Sequence, residues 1–347
     1  MWPGRSSSTR SMWRSRILLG FDWGWICHPH VVKEGAAEAA PFFSRGDNDR
    51  LWSRGSMERQ VSGTLINVAA HPHNGADTYL KLITAAHALN RAVRVHGDRY
   101  AWMSHLWTNK ARNGKVSMTG NIATFTQIDM DGAWIDMQTR AAADAKRIDN
   151  VKRVVAGIQP NYHEFRFYFE PQIHLIAVET NDGVRSFSPR MAEKFFSELL
   201  SANGITDEFG DIEVNFVPDK ESLNRIISSK FLRKISIHFS RPNADSLDDI
   251  ERKVMESMNE MGARTSTVTY SAVRGATLSL TPDVKNLARV ARRNGYVEGN
   301  VAGEPLSTRD HPIERRLVFD DNAQDQASAF DGLARGLIES ESDSLGE

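Results

Sequence analysis

The chain has 347 residues, 40% hydrophobic and 25% charged, with a formal net charge of −1. Such a composition supports a buried core across one large domain or about two smaller ones, and it leaves polyanion binding to a local patch. A single cysteine, Cys27, excludes an internal disulfide framework and fits a reducing, cytoplasmic compartment, and no apolar run reaches the ~18 residues of a membrane-spanning helix.

Residues 1–56 differ from the rest of the chain. They hold Trp2, Trp13, Trp23, Trp25 and Trp52 of the eight tryptophans, and Arg5, Arg10, Arg14 and Arg16 precede the first acid, Asp22. Neither period 2 nor period 3.6 organises their apolar residues. A secretory signal needs an unbroken apolar stretch, yet Ile17–Phe21 stops at Asp22. A transit peptide is arginine-rich, serine-rich and poor in acids, as the opening residues are. The favoured reading is a non-fold extension from a misassigned start, with Met57 as initiator, because clean periodicity begins just after it. Cys27-His28-Pro29-His30 imitates a metal cluster within a segment that offers no scaffold.

From there the predicted elements run in order. Gly63–Ala70 reads as a strand and Ala76–Asn90 as a helix, with Tyr79, Leu82, Ile83 and Ala86 at helical spacing. Arg91–His96 is a strand. Asn121–Ile128 and Ala133–Met137 flank Asp129-Met130-Asp131-Gly132 as a hairpin. A helix-prone connector, Thr139–Val155, leads to Glu164–Phe169, with Phe165, Phe167 and Phe169 on one face, and to its return strand His174–Thr180. Ser188-Pro189 starts a helix carrying Met191, Phe195, Phe196, Leu199 and Leu200, which Asn203-Gly204 ends. Strands at Asp211–Val217 and Leu232–Phe239 alternate with helices at Asp219–Ser229 and Ser246–Gly262. Thr267–Leu280 reads as strand. A helix from Thr281-Pro282 to Asn294-Gly295 precedes strands near Tyr296–Val301 and Ile313–Phe319.

This order predicts an α+β fold, an antiparallel-rich sheet with helices on one face and a ferredoxin-like β-β-α-β-α-β element in the second half. The expected parts are 57–150, an N-terminal α+β part; 151–265, the ferredoxin-like part; and 266–320, a strand, basic helix and β-hairpin part. An acidic tail, 321–347, is expected to be solvated and disordered.

Several fragments together point to a family. They are Ile66-Asn67-Val68-Ala69-Ala70-His71-Pro72 with Tyr79, Val95-His96-Gly97-Asp98, Ile128-Asp129 through Trp134-Ile135-Asp136, Phe165-Arg166-Phe167 and Ser188-Pro189. Asn294-Gly295-Tyr296-Val297 and Asp310-His311-Pro312 complete the set. From about Met57 to Phe319 the sequence resembles an uncharacterised bacterial family, domain of unknown function 4747. The resemblance implies a bacterial, cytoplasmic protein of phage-defence or mobile-element neighbourhoods, and it carries no catalytic residues.

Four constellations bear on chemistry. Lys285, Arg289 and Arg292 share a helix face at i, i+4 and i+7, with Arg293 beside them, a nucleic-acid-binding candidate or an ordinary solvated face. His71, His96 and Asp98, with His73 and Asp77 near them, form a divalent-metal candidate if the two strand ends are neighbours. Asp129, Asp131 and Asp136 suit either magnesium or turn chemistry. Asp98-Arg99-Tyr100-Ala101-Trp102 through His105, Trp107 and Lys110 interleaves aromatic and basic residues, a mixture able to stack bases; the favoured reading is an amphipathic element that buries Tyr100, Met103 and Trp107. No nucleophile assembly or phosphate-cradling glycine loop is present in the pattern.

The leading expectation is a non-catalytic, nucleic-acid-associated or complex-forming accessory in phage defence or mobile-element biology, without a cofactor. It would contact DNA or RNA through the basic helix, with a homodimer or a defence-system protein as partner. The alternatives are a metal-dependent nuclease or hydrolase using His71, His96 and Asp98, and a purely protein-binding subunit.

Overall fold

The computed structural model describes residues 58–72, 75–111, 114–241, 249–321 and 325–343. The 1–56 extension with its Cys27-His28-Pro29-His30 cluster, and His73, lie outside them. The first elements are β1 (Glu58–His71), α1 (Ala76–Ala88), β2 (Val93–His96), β3 (Arg99–Lys110), β4 (Val116–Thr126), β5 (Ile135–Asp136), β6 (Ala141–Ala142) and α2 (Ala145–Val155). Then come β7 (His163–Glu170), β8 (Leu175–Asn181), α3 (Pro189–Leu200), α4 (Asn203–Phe209), β9 (Asp211–Phe216), α5 (Lys220–Ile227) and β10 (Leu232–Ser240). The last are α6 (Asp249–Glu260), β11 (Thr265–Ser271), α7 (Pro282–Asn294), β12 (Gly295–Val301), β13 (Glu304–Ser307), β14 (Glu314–Asp320) and α8 (Gln326–Asp343).

Strand β1 organises the chain. It is buried on both faces from Val61 to Ala70, which explains why Leu65, Ile66, Val68 and Ala69 do not alternate with exposed polar residues; its buried Thr64 and Asn67 donate to the carbonyls of Ile313 and Arg293. One edge pairs with β8. The other is shared end to end by β14, on Glu58–Thr64, and β9, on Ile66–His71, all antiparallel. Outward from β8 follow β7, β4, β3 and β2, giving an eight-stranded sheet. On one face, α1, α3 and α4 set Leu82, Phe195, Phe196 and Ile205 against Phe165, Phe167 and Phe169. On the other, α8 sets Phe330, Ala334 and Leu337 against Leu65, Leu175 and Ala177. A second sheet, β11-β10-β12-β13, buries Ile235, Ile237 and Val297 under α5, α6 and α7.

The molecule is thus α+β and rich in antiparallel pairing, with five corrections to the expected layout. Helices cover both faces of the large sheet, not one, because α8 is a packed helix and not a solvated tail. Its acids mask an apolar stripe, Ala329, Phe330, Ala334, Leu337 and Ile338, which recurs at helical spacing. The ferredoxin-like element is split, since β7, β8 and β9 join the large sheet whereas β10 joins the small one. The parts 57–150, 151–265 and 266–320 interleave, because β4 pairs β7 and β14 pairs β1. The Asp129–Gly132 turn joins no hairpin: β4 ends at Thr126, and β5 pairs only with β6. Asn203 starts α4 rather than ending α3.

Candidate nucleic-acid interface

Helix α7 begins as its sequence suggests, with the Thr281 hydroxyl accepting from Val284 N. Its basic face does not stay open. Arg289 is exposed and Lys285 half-buried, but Arg292 and Arg293 are only 6% and 7% exposed. Arg292 Nη1 donates to the Pro218 carbonyl at 2.8 Å, and both arginines pair with Glu341, which is fully buried near the end of α8. The i, i+4, i+7 alignment is real, yet its last turn runs beneath α8. Those two guanidinium groups tie helix to helix and cannot reach phosphates.

His71, His96 and Asp98 are not brought together. His71 lies at the end of β1, where its Nε2 is 2.9 Å from the Arg241 carbonyl oxygen. His96 ends β2 at the opposite side of the sheet, because β8, β7, β4 and β3 intervene. Asp98, in the β2–β3 turn, faces Arg94 at 3.7 Å. Among the described residues, no group of three His, Cys, Asp or Glu side chains is placed to hold an ion. Asp129 Oδ1 accepts from Asp131 N and Gly132 N, each at 3.0 Å, and Asp136 accepts from Gln138 N at 2.8 Å. These acids shape turns.

The distinctive face is that of β3. Helix α8 packs on the large sheet over β14, β1, β8 and β7, so among the described residues no helix core covers the same face over β4, β3 and β2. A β-bulge at Ser104 adds one residue opposite Asn121. The bulge lets Met103 and Leu106, three apart, both pack on the core, and it turns Trp102, His105 and Trp107 outward together. Trp102 is 38% exposed and Trp107 48%. The His105 and Trp107 rings lie parallel within 2°, with centroids 5.5 Å apart. Tyr100 stacks on its cross-strand partner Phe125 at 6.1 Å, extending the aromatic row. Arg94 pairs with Tyr100 across β2–β3, and Lys110 closes the other end.

Glu164 of β7 anchors this row. It accepts from Ser104 Oγ and Asn121 Nδ2, both at 2.9 Å, and sits 3.5 Å from His105 Nδ1. Burial opposes its ionised form, but hydrogen bonds from Tyr162, Ser104 and Asn121, with His105 nearby, outweigh burial and hold the carboxyl below its usual range. Tyr162 is exposed, yet what desolvation it has, together with its bond to the Glu164 carboxylate, raises its phenol. Ser, His and Glu meet here without forming a nucleophilic triad. Ser104 Oγ donates to the carboxylate, and both Ser104 and Glu164 address the same imidazole nitrogen, whereas a triad needs the two opposite nitrogens. The cluster fixes the His105 ring instead.

Sequence reasoning picked out Tyr100, Trp102, His105 and Trp107 but read burial for Tyr100 and Trp107, because Tyr100, Met103 and Trp107 mimic helical spacing. Asn121, Phe125 and Glu164 went unflagged; the signal for them is the cross-strand register, which the bulge hides.

An α+β protein whose eight-stranded and four-stranded antiparallel sheets are covered by helices, the larger with an aromatic face free of helices among the described residues, is the class that fold and site define. Residues 59–335 match the family described as Domain of unknown function (DUF4747), and the chain belongs to it. No curated protein matches the sequence.

Proposed function

We propose that the open β4-β3-β2 face binds single-stranded nucleic acid by stacking unpaired bases on Trp102, His105 and Trp107. The observation that carries this reading is the alignment of exposed aromatic rings on a rigid sheet, flanked by Arg94 at one end and Lys110 at the other. Every base has a π-face, so such a row takes strands with little regard to sequence, while the flanking cations meet the backbone. The Glu164 charge is already engaged by Ser104 and Asn121, which limits its repulsion of phosphate. On this reading the chain is a non-catalytic accessory, and the phage-defence setting implied by the family resemblance suits a protein that meets foreign strands.

The test is fluorescence anisotropy with labelled oligothymidine and oligouridine across a salt series. Binding that weakens as salt rises, and falls at least about 30-fold in Trp102→Ala/Trp107→Ala, is expected. Equal affinity in the wild type and the double variant sinks the reading and favours a purely protein-docking face.

A further inference from the structure

A cavity of about 470 Å³ opens one step beyond the aromatic row. The row ends at Trp107, whose cross-strand partner is Thr119, and Thr119 lines the cavity together with Asn109, the next outward residue of β3. The Asn109 amide donates to Thr119 Oγ1 at 3.1 Å, so the wall between row and cavity is tied in place. Beside Thr119 stand its cross-strand partner Tyr168 and, further along β7, Glu170; α8 contributes Asp331 and Arg335, with Lys110 and Lys115 at the hairpin end. The volume suits a nucleobase with its sugar.

The lining is chemically two-sided. Glu170 Oε1 is buried without a hydrogen-bond partner among the described residues. A buried, unsatisfied carboxylate oxygen is costly unless a ligand supplies a donor. Burial also raises the Glu170 carboxyl, against the Gln172 backbone amide, Lys115 and Tyr168. The same lining carries the cations Lys115 and Arg335, which seek acceptors, and a second acid, Asp331, beside Arg335. Among the bases, guanine alone presents two adjacent donors, N1–H and N2–H₂, on one edge and two adjacent acceptors, O6 and N7, on another. Adenine and cytosine set a ring acceptor beside their amino group, and thymine and uracil flank one N–H with two carbonyls, so each brings an acceptor up to the carboxylate.

We infer that this cavity takes one guanine base of the strand lying on the aromatic row, with Glu170 accepting from its N1–H and N2–H₂ edge and the Arg335 guanidinium fork donating to O6 and N7. The inference rests on the stacking reading above and adds a base preference to it. A short labelled oligothymidine is compared with the same strand carrying a single G, A or C. The G strand should bind at least about tenfold more tightly than the others, the discrimination of one good bidentate contact. Glu170→Gln and the surface variant Arg335→Gln should each erase that gain while leaving the all-T strand bound as before. Circular dichroism of Glu170→Gln checks its fold, and Arg335→Gln carries the test alone if that variant is unfolded. If the all-T strand binds but G, A and C strands are equal, the cavity inference fails and the stacking reading survives. If no strand binds, the stacking reading itself has failed. Guanosine monophosphate binding as tightly as the G strand overturns the strand-borne assignment in favour of a free nucleotide.

Discussion

Helix α7 and strand β3 carry similar chemistry and meet opposite fates. In α7, three cations line one helical face, and the last turn of that face is sealed by Glu341. In β3, aromatics alternate unevenly around a bulge, and the face they make is left open. Periodicity states which residues share a face. Whether that face is covered depends on a partner far along the chain, here α8, which closes over α7 and stops short of β3.

The comparison breaks most sharply at Glu341. Glu341→Ala strands Arg292 and Arg293 in the interior, and urea unfolding should show a loss of about 3–5 kcal/mol. A surface-like loss under about 0.5 kcal/mol would mean that the α7 face is open after all.

The next effect concerns the anchoring of α8 on the sheet. Glu179 of β8 accepts from Gln326 at the start of α8 at 2.7 Å, and from Arg166 N at 2.9 Å. Burial pushes its carboxyl up to about 7, with Asp182 adding to the rise. Between pH 4.5 and 7 the folded chain therefore keeps a proton that the unfolded chain has released, so stability falls as pH climbs through that window. The fall amounts to about 3 kcal/mol, and Glu179→Gln should flatten it in Tm measured against pH. Parallel profiles for wild type and variant would remove Glu179 as the cause.

Smaller again is the effect at the open face. Trp102→Ala and Trp107→Ala should each weaken strand binding by about 1–3 kcal/mol while leaving the urea midpoint nearly unchanged. A large loss of stability there would mean that the two rings are structural. Smallest is Arg289→Glu, exposed on α7 and bonded locally to Asn286 at 2.6 Å. It should shift stability by under about 0.5 kcal/mol and leave strand affinity at β3 unaltered; lost binding in that variant would return the interface to α7.

Much of the fold was legible because local rules governed it. The Ser188 cap with Pro189, the alternating phenylalanines of β7 and the Thr281 cap of α7 all act within a few residues. Sheet membership was not, since β1 splits one edge between β14 and β9, a choice made by complementary burial hundreds of residues apart. The tail misled for a related reason: its composition is acidic, but Phe330 and Leu337 find a sheet face that no local pattern announces. At the candidate site, the residue types were visible and the bulge was not, so Trp107 read as core when it is surface.

That divided edge also sets the tempo of folding. Arg59 meets Asp321 across 262 positions, so the loop entropy of closing β1 against β14 must be met before their contacts stabilise anything. Until then β1 presents Val61, Leu65, Ile66 and Val68 with half an edge unpaired, a template for other chains. A chain cut short before Glu314 therefore has aggregation, rather than a smaller folded protein, as its natural outcome.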